Sequence, residues 1–378
     1  MKCIYSLLKM FKTQNKITFM SRQTNTRNID FEMIIEEMKK RDSSLKIVVL
    51  NKRLEEDWKS RIKYGFYMFK QMYHMATSKV IIIDSYAILV SILKHKKDTK
   101  VIQIWHALGS LKKFGYSILG KKEGRNKTTA QVMEMHKNND FILTSSEISK
   151  KYFMEAFNAK EEQMKVLGLP RIDFLQSKIE EKNMKEKFYS IYEEADNKKE
   201  NILYVPTHRK NKNVDVKKVI KSVDYTKYNL IVKMHSGKEY IYVDKKRIEK
   251  GVFFLGLELL HVTDYIITDY SAIVYEASLV NKPIYFYIYD YDEYMKNRGV
   301  YIDYKKEMPG LISKNIHVIM QAIENNKCNK AKAEEFANKY IENRNINVTA
   351  TLCDFIQELM GVEVKNIIIE PNKQEIVQ

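Results

Sequence analysis

The stretch YIITDYSAIVYEASLVNKPIYFYIYD, Tyr265 to Asp290, decides how the rest of the chain is read. An apolar, β-rich run (Tyr265–Thr268) meets a polar turn. A helical pattern follows from Ser271 to Val280, stopped by Asn281-Lys282-Pro283, and a second β-rich run (Ile284–Tyr289) comes after it. Strand, helix and strand in so short a span form a βαβ unit, in which the helix carries the chain back across the sheet and leaves the strands parallel. Ser271 is placed to cap that helix, whose unpaired N–H groups make an anion site. Asp269 orients the turn, and Glu276, one turn in, is placed to accept from ribose hydroxyls.

The same alternation extends outward from this unit. Upstream lie Ile202–Val205, Leu230–Val232 and Val252–Leu255. A separate series precedes them at Ile17–Met20, Lys46–Leu50, Val80–Ile83, Val101–Trp105 and Phe141–Thr144, with helical patterns between. The segment Lys178–Glu200 is dense in charge and has no buried-strand pattern, so it reads as a surface helix or connector. Residues 316–360 read as helical. The expectation is an α/β protein with two parallel sheets: a first domain over 1–175, a connector over 176–200, a second domain over 201–364 and a tail over 365–378.

Composition narrows the function. The chain has 378 residues, 44% hydrophobic and 30% charged, which excludes wholesale disorder. Lys+Arg 65 against Asp+Glu 48 leaves +17, a balance that favours polyanionic partners: nucleic acid, anionic membrane or phosphate-rich substrates. No RNA- or DNA-binding signature accompanies the charge. Cys3, Cys328 and Cys353 are scattered without metal-ligand spacing, which fits a reducing compartment and gives no zinc site. No apolar run is long enough to span a bilayer. The start, MKCIYSLLKMFK, nevertheless places Ile4, Leu7, Leu8 and Phe11 on one helical face with Lys2, Lys9 and Lys12 elsewhere. That pattern suits either an anionic membrane surface or the protein's own core.

In open α/β sheets ligands bind beyond the carboxyl ends of the strands, so the residues there carry the functional reading. Asp84 and Ser85 end one strand, and His106 ends the next, followed by Lys112 and Lys113. An imidazole titrating near neutrality suits general base work. In the second half Thr207, His208 and Arg209 end a strand, His235 follows another, and Thr268 and Asp269 a third; Arg298 lies beyond the next. Donors of these types suit phosphate oxygens. Asp290 and Asp292 are a weak candidate for a divalent metal, and none is expected. No GxGxxG occurs, and GYSILGKK at Gly115–Lys122 has Lys122 where a P-loop needs Ser or Thr.

Six ordered segments resemble the CDP-glycerol glycerophosphotransferases of wall teichoic acid primase and polymerase type. They are QIWHALGSLKKFG (103–115), GLPRIDFL (168–175), ILYVPTHR (202–209), KMHSG (233–237), DYIITDYSAIVYEASLVNKPIYFY (264–287) and RGVYIDYKKEMPG (298–310). The resemblance implies a GT-B architecture, two Rossmann-like domains facing across a cleft. It also implies transfer of glycerol phosphate from CDP-glycerol to a hydroxyl of a saccharide linked to undecaprenyl pyrophosphate, with release of CMP and no cofactor, by an enzyme peripheral on the inner face of the cell membrane.

By motif position His106 is the implied general base and His235 the second catalytic histidine. Thr207, His208, Arg209, Thr268, Asp269, Ser271, Ala272, Glu276 and Arg298 are implied on the donor side, and Asp84, Ser85, Lys112 and Lys113 near the acceptor. Two departures stand out: Ser236 follows His235 where the family often has proline, and Ala272 replaces a frequent second serine. A CDP-ribitol or capsule-type transferase remains the alternative, with a nucleotide-sugar glycosyltransferase and a basic nucleic-acid binder behind it.

Overall fold

The computed structural model describes residues 1–25, 27–53, 57–209, 214, 216–234, 239–243, 245–251 and 253–362. His235, and the tail beyond 362, lie outside the described residues.

The first sheet has six parallel strands: β1 (Gln14–Ser21), β2 (Lys46–Asn51), β3 (Ser78–Ile83), β4 (Lys100–Gln103), β5 (Phe141–Thr144) and β6 (Met164–Val166), in the order β2-β1-β3-β4-β5-β6. The second has seven: β7 (Glu200–Val205), β8 (Tyr228–Lys233), β9 (Glu239–Val243), β10 (Lys246–Ile248), β11 (Tyr265–Thr268), β12 (Ile284–Tyr287) and β13 (Leu311–Ser313), in the order β10-β9-β8-β7-β11-β12-β13. Among the described residues, the antiparallel pairings are those of β9 with β8 and with β10. Strands such as β3 and β11 are buried along nearly their whole length. Unbroken burial suits their continuous Val/Ile runs, because helices cover both faces.

Each sheet reverses its winding at a switch point, between β1 and β3 in the first and between β7 and β11 in the second. Residues just past those strands, Asp84 in one half and Thr207 and Asp269 in the other, therefore sit where such sheets bind ligands.

Three expectations change. The reading of Val252–Leu255 as a strand fails, since Phe253–Leu255 leads instead into a helix at Gly256–Val262 whose Glu258 accepts from the Leu255 N–H at 2.6 Å. The helix expected at Ser271–Val280 spans Ile273–Leu279, with Ala272 rather than Ser271 at the cap position. Finally, the last described helix, Val348–Leu359, leaves the second half. It packs on the Ile29–Arg41 helix, where Arg41 bonds Asp354 and Gln357, and its first turn donates to Asp173 through the N–H groups of Val348 and Thr349. An amphipathic pattern says that a helix packs, not which sheet it covers.

The halves are joined tightly. Leu108, Leu111 and Ile172 of the first belong to the same apolar cluster as Val274 and Tyr275 of the second. Backbone bonds cross the joint from Lys113 N–H to Gly299 O (3.1 Å) and from Tyr301 N–H to Leu111 O (3.0 Å).

Candidate active site

His106 owes its setting to a left-handed Trp105 (φ 59°), which turns the chain sharply just after β4. Gln103 secures the turn: its side-chain oxygen accepts from Trp105 N–H at 2.9 Å, and its amide donates to Ser85 O at 3.1 Å. The Trp105 ring lies between the imidazole, 4.0 Å away, and Phe114, 4.4 Å away. His106 Nδ1 is 2.9 Å from the Asp84 carbonyl oxygen. A carbonyl only accepts, so Nδ1 carries the proton and Nε2 is the basic nitrogen. This is the tautomer arrangement that a general base needs.

The Asp84 side chain is fully buried and takes a 2.9 Å bond from Asn28 Nδ2. Burial pushes its carboxyl up to about 6, against hydrogen bonds that pull it down. Ser85 Oγ accepts from Arg22 N–H at 3.3 Å. Asp84, Ser85 and His106 thus share one rim, as expected from the strand ends.

On the opposing rim Asp269 accepts from Thr207 N–H at 2.9 Å and from Arg209 Nη2 at 2.8 Å, while Arg209 Nε bonds Asp290 at 2.8 Å. The rings of Tyr270 and Tyr294 stack on each other at 3.8 Å, and the guanidinium lies beside the pair, 5.2 and 5.1 Å from them. Arg209 is therefore a brace between loops. Asp290, weighed as a metal ligand, is its counter-ion, and no group of three metal-ligating side chains occurs among the described residues. Thr207 Oγ1 is buried without a partner among the described residues. His208 is exposed, and Thr268 Oγ1 donates to Val205 O at 2.8 Å. Ser271 Oγ accepts from Ile273 N–H at 3.4 Å, a local turn bond rather than the expected N-cap.

Two groups singled out by sequence make contacts the sequence did not indicate. Lys112 and Lys113, placed by sequence near the acceptor, are stitched to the second half: Lys112 bridges Val300, and the Lys113 carbonyl accepts from Arg298 Nε at 3.0 Å. Burial, with Arg298 and Arg209 adding repulsion against the pull of Asp269, brings Lys112 down to about 7. Its neighbours belong to the second half. Glu276, placed by sequence at a ribose, is instead fully buried, with Oε1 accepting from Arg171 Nη1 at 2.9 Å and from Leu108 N–H at 3.2 Å. Arg171 and Asp30 were not singled out by sequence reasoning. The GLPR segment that carries Arg171 was the one available signal, and Asp30 had none.

Residues 3–358 match the family CDP-Glycerol:Poly(glycerophosphate) glycerophosphotransferase. The chain is 29% identical over 363 residues to a teichoic acid ribitol-phosphate primase of Bacillus spizizenii, covering 92% of each. It is 29% identical over 312 residues to a teichoic acid glycerol-phosphate primase of Bacillus subtilis, covering 79% of this chain and 78% of that one. Among solved structures, the wall teichoic acid polymerase TagF superposes with a TM-score of 0.75 over 95% of this chain and 93% of its own, at 18% identity. That likeness is one of fold, a GT-B-like pair of α/β domains.

Proposed function

Since the chain belongs to the CDP-glycerol:poly(glycerophosphate) glycerophosphotransferase family, we propose that it transfers glycerol phosphate from CDP-glycerol to a hydroxyl of a lipid-linked saccharide and releases CMP. The observation that carries this reading is His106, with its Nδ1 proton committed to the Asp84 carbonyl, beyond the carboxyl end of β4. In the proposed step Nε2 takes the acceptor hydroxyl proton, and the oxygen attacks the phosphorus bearing glycerol. The bond to the bridging oxygen breaks, and CMP departs with that oxygen and its charge. Lys112 and Arg298 are the cations placed to neutralise that charge, and the turn at Ser271 and Ala272 lies on the same side. His235 keeps its proposed role as a second catalytic histidine on the strength of its motif alone. CDP-ribitol is the alternative donor, favoured by the likeness to a ribitol-phosphate primase.

The test is CMP release from either donor with a lipid-linked disaccharide analogue, with product mass showing one addition or several. His106→Ala is expected to lower kcat by about 10²–10⁴-fold with the fold intact; unchanged turnover would remove it as the base.

The same reading includes attachment to an anionic membrane surface. In the Lys2–Leu8 helix Tyr5 turns inward, bonding His95 at 2.8 Å, while Ile4 and Leu7 stay exposed. The Trp58–Ala76 helix adds an exposed stripe, Trp58 (67%), Ile62, Phe66 (72%), Phe69 and Tyr73, at helical spacing. Phe11 meets Tyr73 at 5.9 Å and joins the two faces. Lys59, Arg61, Lys63 and Lys70 lie on the same helix, as interfacial helices require. No helix among the described residues is long and apolar enough to cross a membrane. Trp58→Glu with Phe66→Glu should abolish sedimentation with phosphatidylglycerol vesicles while sparing turnover of a short-chain soluble acceptor; full sedimentation would leave the stripe without this role.

A further inference from the structure

His106 and Leu108 bracket the catalytic turn, and both are held from the same buried point. Arg171 Nη1 donates to the His106 carbonyl at 2.9 Å. Glu276 Oε1 accepts from Leu108 N–H at 3.2 Å and from Arg171 Nη1 at 2.9 Å, so one guanidinium nitrogen and one carboxylate oxygen grip both ends of the segment. Asp30 fixes the rest of the guanidinium, taking Nε at 3.0 Å, Nη2, and the Arg171 backbone N–H at 2.9 Å. The three side chains are nearly solvent-free.

Their origins give the arrangement its meaning. Asp30 opens the helix after β1, Arg171 opens the helix after β6, and Glu276 lies in the Ile273–Leu279 helix, which follows the donor-side turn at Asp269–Ser271. The donor half thus reaches through Glu276 to the backbone that carries the general base. Gly109 tightens the same contact, since a Cβ there would stand 2.5 Å from the Tyr275 ring of that helix.

We propose that Arg171 and Glu276 are positioning residues for His106, coupling the helix beneath the donor site to the orientation of the imidazole. An ion pair serving stability alone has no need to bond the carbonyl of the base and the N–H two residues on. Positioning does, because an error of about 1 Å in a reacting group costs on the order of 10²-fold in rate. Glu276 Oε2 has no partner among the described residues, so an amide at that oxygen's place gives up no hydrogen bond, and Glu276→Gln keeps the gripping oxygen.

The inference rests on His106 acting as the base, and the experiment separates the two claims. Arg171→Lys, Glu276→Ala and Glu276→Gln are compared for folding by circular dichroism, for kcat and donor KM, and for the His106 ring ¹⁵N shifts, which report the tautomer without substrate. Arg171→Lys and Glu276→Ala should lower kcat per folded molecule about 10²-fold, keep donor KM within about threefold, and weaken the Nδ1–H signature. Glu276→Gln should recover to within about fivefold of the native rate.

Unchanged ¹⁵N shifts, or a rate loss that only follows the unfolded fraction, would overturn positioning. So would a Glu276→Gln variant as inactive as Glu276→Ala with a collapsed donor affinity, which would make Glu276 a ligand contact. Altered shifts in a protein that turns over neither CDP-glycerol nor CDP-ribitol would keep the coupling and reject the proposed activity. If Arg171→Lys or Glu276→Ala does not fold, Asp30→Asn, which breaks the paired grip on the guanidinium, should show the same shift at smaller size.

Discussion

Arg171 and Arg209 are each buried between two carboxylates, yet the two clusters do different things. Arg209, 6% exposed, ties Asp269 to Asp290 and bonds the Thr207 carbonyl, so every partner belongs to the second half, on the loops after β7, β11 and β12. Arg171, 8% exposed, ties Asp30 to Glu276 and so joins the two halves. The chemistry is the same, two acids around one fork of N–H donors, and only the elements that present it differ. A buried ion pair adds little net stability over a good apolar contact, but losing one member strands the other. The two sites therefore specify geometry: one fixes the loops after β7, β11 and β12, and the other sets how the halves meet.

The largest expected effect tests that contrast directly. Arg209→Met and Arg171→Met each leave two carboxylates buried without their cation, and each should cost about 3–5 kcal/mol in urea unfolding. Hydrogen exchange should separate them. Arg209→Met should loosen the ends of β7, β11 and β12, whereas Arg171→Met should loosen residues 106–111 together with the Ile273–Leu279 helix. Identical exchange patterns would erase the distinction between brace and joint.

A smaller effect probes the joint without touching charge. Tyr275 is fully buried and packed by Phe336 and Tyr340 at 5.2 and 5.5 Å, so it cannot retreat from a methyl group added at Gly109. Gly109→Ala should destabilise by about 1–3 kcal/mol, and Tyr275→Leu should partly rescue it, making the double variant less unstable than the sum. Strict additivity would mean that the close approach does not strain the joint.

The contrast also explains what the sequence could and could not reveal. The strand, turn and helix of Tyr265–Leu279 were legible because apolar runs and turn residues are local signals, and His106 was legible because it closely follows a strand. The antiparallel β9 and β10 were missed: β10, at the sheet edge, is three residues with two charges, and β9 (EYIYV) is a short run whose pairing depends on that partner. The contact of Lys112 with the second half was not legible, because its bridge partner Val300 is far along the chain. Glu276 was read through its helix position, which says nothing of an arginine 105 residues away. Pairings at such separation leave no periodicity to read. The GLPR segment was visible, yet only the fold shows that its arginine meets Asp30 and the His106 carbonyl.

Asp84 sharpens the comparison by supplying a buried carboxylate bonded to no arginine among the described residues. It takes a hydrogen bond from the neutral Asn28 amide, and burial raises its carboxyl to about 6, above the roughly 3.9 of an unfolded chain. A group whose folded pKa is raised contributes stability that is fully present below about 4 and lost as pH rises through about 6. Asp84→Asn removes that loss. A carboxyl raised that far loses at most ~3 kcal/mol on ionising, and the new amide N–H, at the place where Oδ1 now has no partner among the described residues, takes back a good part of what the substitution gains. The expected gain is about 1 kcal/mol at pH 8 and none at pH 4, read as urea midpoints at the two values. Asp269→Asn, which weakens the ion pair with Arg209, should instead destabilise at pH 8. If Asp84→Asn were also destabilising there, Asp84 would be ionised and paired like the others, and the two arginine clusters would no longer be special in how they hold buried charge.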